Sequence, residues 1–104
     1  MNTSDEIIHQ SVRLKIMAAL NALPRKAMLE FVKLKTVSGA TDGNLGAHLT
    51  TLEKAGYVKI VKDFAGKKPR TRVGITASGQ RAFQNHVSYL RELLETNTGG
   101  ANNE

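Results

Sequence analysis

Residues 41–58 read TDGNLGAHLTTLEKAGYV and contain, in order, a helix start, a leucine stripe and a helix stop. Thr41 or Asp42 can cap the exposed amides of a first helical turn. Three leucines then share one helical face, at steps of four and three residues: Leu45, Leu49 and Leu52. Gly56 ends the pattern, because glycine readily takes the left-handed conformation that closes many helices. The stretch therefore predicts a helix with one narrow buried face.

The opposite face of this helix consists of short or polar residues. Its members are Gly43, Asn44, Ala47, Thr50, Thr51 and Lys54. A face of this kind can press closely against another surface, and its asparagine and threonines can bond to base edges or phosphates. Its lysine can meet a phosphate. The pattern alone also fits a helix face that only meets water.

A β-hairpin is predicted directly after this helix. Residues 57–64 read as a strand with Val58 and Ile60 on one face, and residues 70–76 read as a second strand. The segment between them, residues 65–69, contains a glycine and a proline and is expected to form the turn.

Positive charge concentrates on this hairpin, where a single acidic residue, Asp63, opposes six basic ones. The basic residues are Lys59, Lys62, Lys67, Lys68, Arg70 and Arg72. Each phosphate that such cations neutralise releases counterions, so a basic tip gains affinity for a nucleic acid without reading its sequence. The alternative is a charged strand edge that resists aggregation.

Three further helices complete the expected fold. Residues 5–22 form the first, with Thr3 and Glu6 at the spacing of a capping box. Residues 28–37 form a short second helix, and Thr76 caps a last helix that runs to about residue 95. The sequence therefore predicts a mainly α protein with a small β-hairpin, an α+β fold of order α-α-α-β-β-α. Residues 1–95 are expected to form one domain and residues 96–104 a disordered tail.

Composition narrows the classes of protein that fit. The 104 residues suggest a single domain, and the net charge of +6 suits a polyanionic partner. No apolar run is long enough to span a membrane, and the N-terminus lacks the build of a signal peptide, so the expected location is the cytoplasm. The sequence contains no cysteine, and its histidines, at positions 9, 48 and 86, lack the close spacing of metal ligands. No phosphate-binding loop or nucleophile motif is present, so we expect neither a cofactor nor an enzyme.

The order of elements resembles a winged helix-turn-helix domain and, more closely, the small single-domain MarR/ArsR-like transcriptional regulators. The segments that carry the resemblance are RLKIMAAL (13–20), the opening stretch (41–58), KKPRTRVGIT (67–76) and TASGQRAF (76–83). Together they cover roughly residues 7–94. The chain departs from the family at Gly46 and Ala47, where serine and then arginine are common.

This resemblance implies a DNA-binding regulator whose third helix enters the major groove and whose hairpin, the wing, reaches the minor groove or the backbone. The implied DNA-binding residues are Asn44, Ala47, His48, Thr50, Thr51 and Lys54 on the helix and Lys67, Lys68, Arg70 and Arg72 on the wing. His48 lies between the leucine stripe and the exposed face, so we expect it to pack or to bond a phosphate and not to act in catalysis.

A homodimer is expected because the last helix is apolar over more than one stripe. The residues predicted to pair two chains are Ile7, Ile8, Val87, Tyr89, Leu90, Leu93 and Leu94. A two-fold dimer would present two recognition helices about one helical turn of DNA apart, roughly 34 Å. Two other functions stay open: a winged-helix module for protein–protein assembly, and a chromatin-type binder without sequence preference. The sequence names no effector ligand and no target site.

Overall fold

The computed structural model describes the backbone of residues 4–102 and the side chains up to residue 95. Within these residues the elements, in chain order, are α1 (Glu6–His9), α2 (Ser11–Asn21), β1 (Leu29–Glu30), α3 (Phe31–Ser38), α4 (Asp42–Lys54), β2 (Val58–Ala65), β3 (Lys68–Ile75) and α5 (Ala77–Asn102). The fold class is as predicted: mostly helical, with a small antiparallel sheet whose hairpin, β2 and β3, follows α4.

The predicted first helix is two helices, because the chain becomes extended at Gln10 (ψ 134°). Asp5 caps α1, its Oδ1 accepting hydrogen bonds from the amides of Ile7 and Ile8 at 2.9 and 3.0 Å. The Gln10 side chain then caps α2 by accepting from the Arg13 amide at 2.9 Å. The predicted capping box involved Thr3, which lies outside the described residues.

The sheet has three strands, one more than the hairpin predicted. The order is β1-β3-β2, and β1 pairs antiparallel with β3 through Leu29↔Val73 and Glu30↔Arg72. Residues 28–30 were therefore wrongly placed in the second helix, which begins at Phe31. A two-residue strand has no periodicity of its own, and only its pairing with β3 defines it.

The core forms where α1, α2, α3, α4 and the sheet meet. Its most buried apolar side chains are Ile8, Ile16, Met17, Leu20, Leu34, Leu45, Leu49, Leu52, Val58 and Val73. The three leucines of the predicted stripe are all among them. Burial of this face fixes the opposite face of α4 outward, because the two faces lie about half a turn apart.

Helix α5 starts at the predicted cap and packs closely against the entry to β2. The Thr76 hydroxyl accepts a hydrogen bond from the Gly79 amide at 2.9 Å, and the Thr76 amide donates to the Tyr57 carbonyl at 3.0 Å. Gly79 is buried, and a Cβ built on it would overlap the Tyr57 carbonyl oxygen. Only a residue without a side chain fits between α5 and β2 at this point.

Helix α5 also extends beyond its predicted end near residue 95, and reaches Asn102. Residues 96–104 were expected to be a disordered tail because they are polar and contain two glycines. No proline in this stretch removes a backbone donor from the hydrogen-bond ladder, so the helix is able to continue across the two glycines. Residues 103 and 104, which belong to the same expectation, lie outside the described residues.

Candidate nucleic-acid interface

Contacts with α3 and with the preceding turn hold the N-terminal end of helix α4. Thr41 is the N-cap, its hydroxyl accepting from the Asn44 amide at 3.2 Å. Gly39 takes the left-handed conformation (φ 70°) that ends α3 and turns the chain into α4. An ion pair of 2.7 Å between the Lys35 ammonium and the Asp42 carboxylate joins the two helices. The sequence left the cap open between Thr41 and Asp42, and the structure assigns it to Thr41.

The polar face of α4 is exposed along its length. Asn44, Ala47, Thr50 and Lys54 are exposed, and Thr51 is partly buried. The hydroxyls of Thr50 and Thr51 donate back to the carbonyls of residues 46 and 47, at 3.0 and 3.2 Å. Their oxygens keep acceptor capacity, while a new acceptor would have to displace these internal bonds. Asn44 carries the amide side chain of this face, whose separate oxygen and nitrogen can accept and donate at the same time.

His48 lies at the margin of this face, and Arg13 of α2 fixes its ring. The Arg13 Nη1 lies 2.9 Å from the His48 Nδ1, and the Arg13 Nε donates to the Ile7 carbonyl at 2.5 Å. Since a guanidinium can only donate, Nδ1 is the acceptor and the proton of the neutral ring lies on Nε2. Partial burial, and then the charge of Arg13, lower the pKa of His48. The predicted packing role fits this arrangement, and contact of His48 with a phosphate stays a prediction.

The two arginines of the wing are engaged by Asp63 across the hairpin. Asp63 lies directly opposite Arg70 in the strand register. Arg72, two residues further along β3, is on the same face of the sheet. The Arg70 Nε and Nη2 donate to the two carboxylate oxygens at 2.9 and 3.1 Å, and the Arg72 Nη2 donates at 2.8 Å. The hydrogen bond from Arg70, reinforced by Arg72, lowers the pKa of Asp63 to about 2. Asp63 therefore stays ionised at neutral pH, and this pairing persists.

Lys67 and Lys68, in contrast, are exposed at the hairpin tip, where Gly66 has a left-handed conformation (φ 65°). No salt bridge of these two lysines is found among the described residues. Of the four predicted wing cations, they are therefore the two that can meet a phosphate without first breaking an internal bond.

The wing and α4 border one groove of about 320 Å³. Its lining residues are Phe31, Gly46, Leu49, Thr50, Ile60, Lys62 and Thr71. Thr50, from the polar face, and Lys62, from β2, thus border the same opening. Lys62 was counted among the basic residues of the hairpin but was not predicted as a contact. Strand alternation could have predicted this position, because it places Lys62 on the same face as Val58 and Ile60, beyond the end of the core.

The residues predicted to pair two chains have different environments. Ile8 has no exposed surface and belongs to the core of its own chain, so it is not available to a partner. Ile7 is partly buried and packs against that core. Val87, Tyr89 and Leu90 on α5 are also partly buried. Leu93 and Leu94 are exposed, at 45% and 67%.

A buried polar cluster that the sequence did not predict joins α1 to α5. The fully buried His86 accepts from the Asp5 amide at 3.1 Å, and its Nε2 lies 3.4 Å from the His9 Nδ1. Burial and the neighbouring His9 lower the pKa of His86, and the negative charges of Asp5 and Glu6 oppose the shift. Tyr57 donates to the Asp5 carboxylate at 2.6 Å, and this bond, with burial, raises the pKa of Tyr57 to about 12. The cluster ties the start of α1 to both α5 and the end of α4.

Two other kinds of site are not found in the described part of the chain. Among the described residues, no group of three or more histidine, cysteine, aspartate or glutamate side chains is placed to hold a metal ion. No helix within the same residues has the length and hydropathy needed to cross a bilayer.

The chain is similar in sequence to a known protein family and to an individual relative. Residues 12–94 match a family model described as a winged helix DNA-binding domain. An uncharacterized protein of Methanocaldococcus jannaschii is 36% identical over 88 residues, which span 85% of this chain and 92% of that relative.

Solved structures show the same architecture. A transcriptional regulator homologue from Pyrococcus horikoshii OT3 superposes with a TM-score of 0.78 at 35% identity, over 88% of each chain. A MarR-family putative regulator from Enterococcus faecalis V583 gives a TM-score of 0.69 at 21% identity, over 98% of this chain and 96% of that one. MepR of S. aureus, solved as a complex with DNA, gives a TM-score of 0.71 at 20% identity, over 93% of this chain and 77% of that one. At such identities the last two show a shared fold.

Proposed function

This chain belongs to the winged helix DNA-binding domain family, and we propose that it is a dimeric transcriptional regulator of MarR type. In this proposal α4 enters the major groove of a DNA duplex, and the wing contacts the backbone or the adjacent minor groove. The protein acts in the cytoplasm, where it meets its DNA. The family is defined by DNA binding, which agrees with the expectation that the chain is not an enzyme.

One observation carries this proposal: the exposed polar face of α4 and the cationic wing border a single groove. Thr50 of α4 and Lys62 of β2 in the wing both line it, and exposed lysines lie on the same two elements: Lys54 on α4, and Lys67 and Lys68 on the wing. A surface that combines short polar side chains with flanking cations fits a polyanion whose base edges lie recessed between two charged backbones. A mobility-shift titration with genomic fragments tests the function, and a protein that shifts no duplex at low salt would refute it.

The contacts divide into two kinds. Lys67 and Lys68, with Lys54 and Lys62, supply charge that any duplex satisfies. Asn44 is the best-placed reader of sequence, because its amide can donate and accept at once and is exposed at the start of α4. Thr51 is the second candidate, at the partly buried border of the face. Arg70 and Arg72 act mainly by holding the wing in shape through Asp63.

Base reading by α4 predicts a specific result for Asn44→Ala. Loss of a bidentate base contact should cost about 1–3 kcal/mol on the preferred sequence and little on unrelated duplexes. Competition between a selected site and a random duplex measures the difference, and Thr51→Ala should act in the same direction. The matched control is Thr36→Ala on α3, an exposed side chain whose hydroxyl also bonds back to its own helix. Equal losses on every duplex would instead favour the binder without sequence preference.

A dimer is proposed from the exposed apolar end of α5. Residues 91–95 are all exposed, and Leu93 and Leu94 present apolar side chains to water. Pairing with the same helix of a second chain would cover them and would place two copies of α4 on one side of the assembly.

The dimer makes a prediction about mass. Light scattering at micromolar concentration should give twice the mass of 11.3 kDa, and replacement of both leucines by aspartate should return the protein to the monomer. Far-ultraviolet circular dichroism provides the control, because both positions are outside the core and the fold should persist. A wild-type protein of monomeric mass would rule out this part of the proposal.

A further inference from the structure

Phe64 is a large apolar side chain exposed on the wing. It is 67% exposed, near the end of β2, and its cross-strand partner is Pro69 of β3, which is also exposed. Strand alternation puts both on the face that Val58 and Ile60 present to the core. Pro69 borders an opening of about 320 Å³ together with Phe31 and Val32 of α3, and it stays exposed. The chain therefore leaves an aromatic ring and a proline ring uncovered side by side.

The surroundings of this pair are cationic. Lys62 precedes Phe64 by two residues on the same face, and Lys67 and Lys68 occupy the adjoining tip, all three exposed. The nearest acidic side chain along the hairpin, Asp63, lies on the opposite face and is bound by two arginines. Glu30 of β1, which borders one opening with Pro69, adds a single negative charge near the pair. The three exposed lysines outweigh it, so the surface favours an anionic partner that also offers an apolar or aromatic surface.

A DNA duplex meets both requirements better than another protein does. The centre of a protein–protein interface is depleted of lysine, whereas Phe64 is bracketed by lysines. Proteins that occupy the minor groove commonly insert phenylalanine or proline between base steps while cations hold the flanking phosphates. The wing adjoins α4 through the groove that Thr50 and Lys62 line, so a duplex held by α4 would pass beside it.

We propose that Phe64, backed by Pro69, is an apolar wedge that enters the minor groove beside the α4 site and partly unstacks one base step. Lys62, Lys67 and Lys68 hold the phosphates on either side. The duplex bends away from the wedge, and flexible pyrimidine–purine steps such as TA are favoured at that position because they unstack most easily. This inference rests on the proposed DNA-binding function and adds to it a second, shape-dependent source of specificity.

The test compares Phe64→Ala with wild type on duplexes of about 30 base pairs that carry end labels for energy transfer and 2-aminopurine at a TA step. Wild type should bend the duplex and raise the 2-aminopurine fluorescence. Phe64→Ala should lose both signals and bind roughly tenfold more weakly, with an unchanged salt slope because no phosphate contact is lost. Phe64→Leu, which keeps an apolar wedge, should retain part of both signals.

Val37→Ala is the matched control, because Val37 is another exposed apolar side chain, at 48%, and lies on α3. It should leave bending and fluorescence at the wild-type level. Wild-type binding with a straight, fully stacked duplex, or full bending by Phe64→Ala, would overturn the wedge and leave the proposed function standing. Failure of wild type to bind any duplex would overturn both. Loss of a protein contact by Phe64→Ala without any change in DNA binding would assign the ring to a protein partner and refute the wedge.

Discussion

Replacement of Lys67 and Lys68 together by alanine should weaken binding to every duplex and reduce the slope of log affinity against log salt by up to about two units. These two lysines are exposed at the hairpin tip, whereas Arg70 and Arg72 are already bound to Asp63. A cation without an internal partner gives all of its charge to a phosphate, so its loss shows fully in the salt dependence. Fluorescence anisotropy at several salt concentrations measures the slope.

The control for this variant must remove the same charge from elsewhere. Lys15 on α2 and Arg81 on α5 are exposed and belong neither to α4 nor to the wing. Their joint replacement by alanine lowers the net charge by the same amount and should leave the slope nearly unchanged. An equal effect of the two double variants would mean that net charge, and not the wing, drives binding. An unchanged slope in the Lys67/Lys68 variant would show that the wing does not meet the backbone.

Gly79→Ala should strongly destabilise the fold. The new Cβ would overlap the Tyr57 carbonyl oxygen, and that oxygen already accepts the Thr76 amide. The backbone at the junction of β2 and α5 must shift, at an expected cost of at least about 3 kcal/mol. The total free energy of unfolding of a domain of this size is roughly 5–15 kcal/mol, so this loss is a large part of it. Since each kcal/mol lowers the melting temperature by about 4 °C or more, the melting temperature should fall by about 12 °C or more.

Gly46→Ala is the matched control for this prediction. Gly46 lies within α4, and a Cβ built on it meets no atom within 4 Å. The same substitution at this position should stabilise the protein by roughly 0.5–1 kcal/mol, because alanine is the better helix former. Urea unfolding of both variants gives the two free energies. A Gly79→Ala protein as stable as wild type would show that α5 does not press on the Tyr57 carbonyl.

The fold was predictable where one segment carried its own signals. Residues 41–58 contain a cap, a stripe and a stop, and the structure places all three as expected. The break at Gln10 was not predicted, because the apolar spacing of the sequence continues across it. In the structure, the Gln10 side chain caps α2 and so marks the start of a second helix. Strand β1 was not predicted for a different reason. Its two residues form a strand only through their pairing with Val73 and Arg72 of β3.

The candidate site was predictable in outline but not in its internal pairings. Helical periodicity was enough to separate the polar face of α4 from its leucines. Which wing cations are bound to Asp63 depends on the hairpin register, which the sequence did not give. His9 and His86 are 77 positions apart, and no local pattern could indicate that their rings approach. Contact of the predicted residues with DNA stays a prediction, which the alanine variants will decide.

The bond between Arg13 and His48 has a mechanical consequence. One guanidinium holds the Ile7 carbonyl and the His48 ring together, so it tethers the segment that precedes α2 to the helix proposed to enter the groove. A displacement of α1 that withdrew that carbonyl would release one side of the tether and leave the imidazole free to rotate. A displacement of the N-terminal segment would thus reach α4 through this guanidinium, in addition to the Tyr57–Asp5 hydrogen bond at the exit of the same helix.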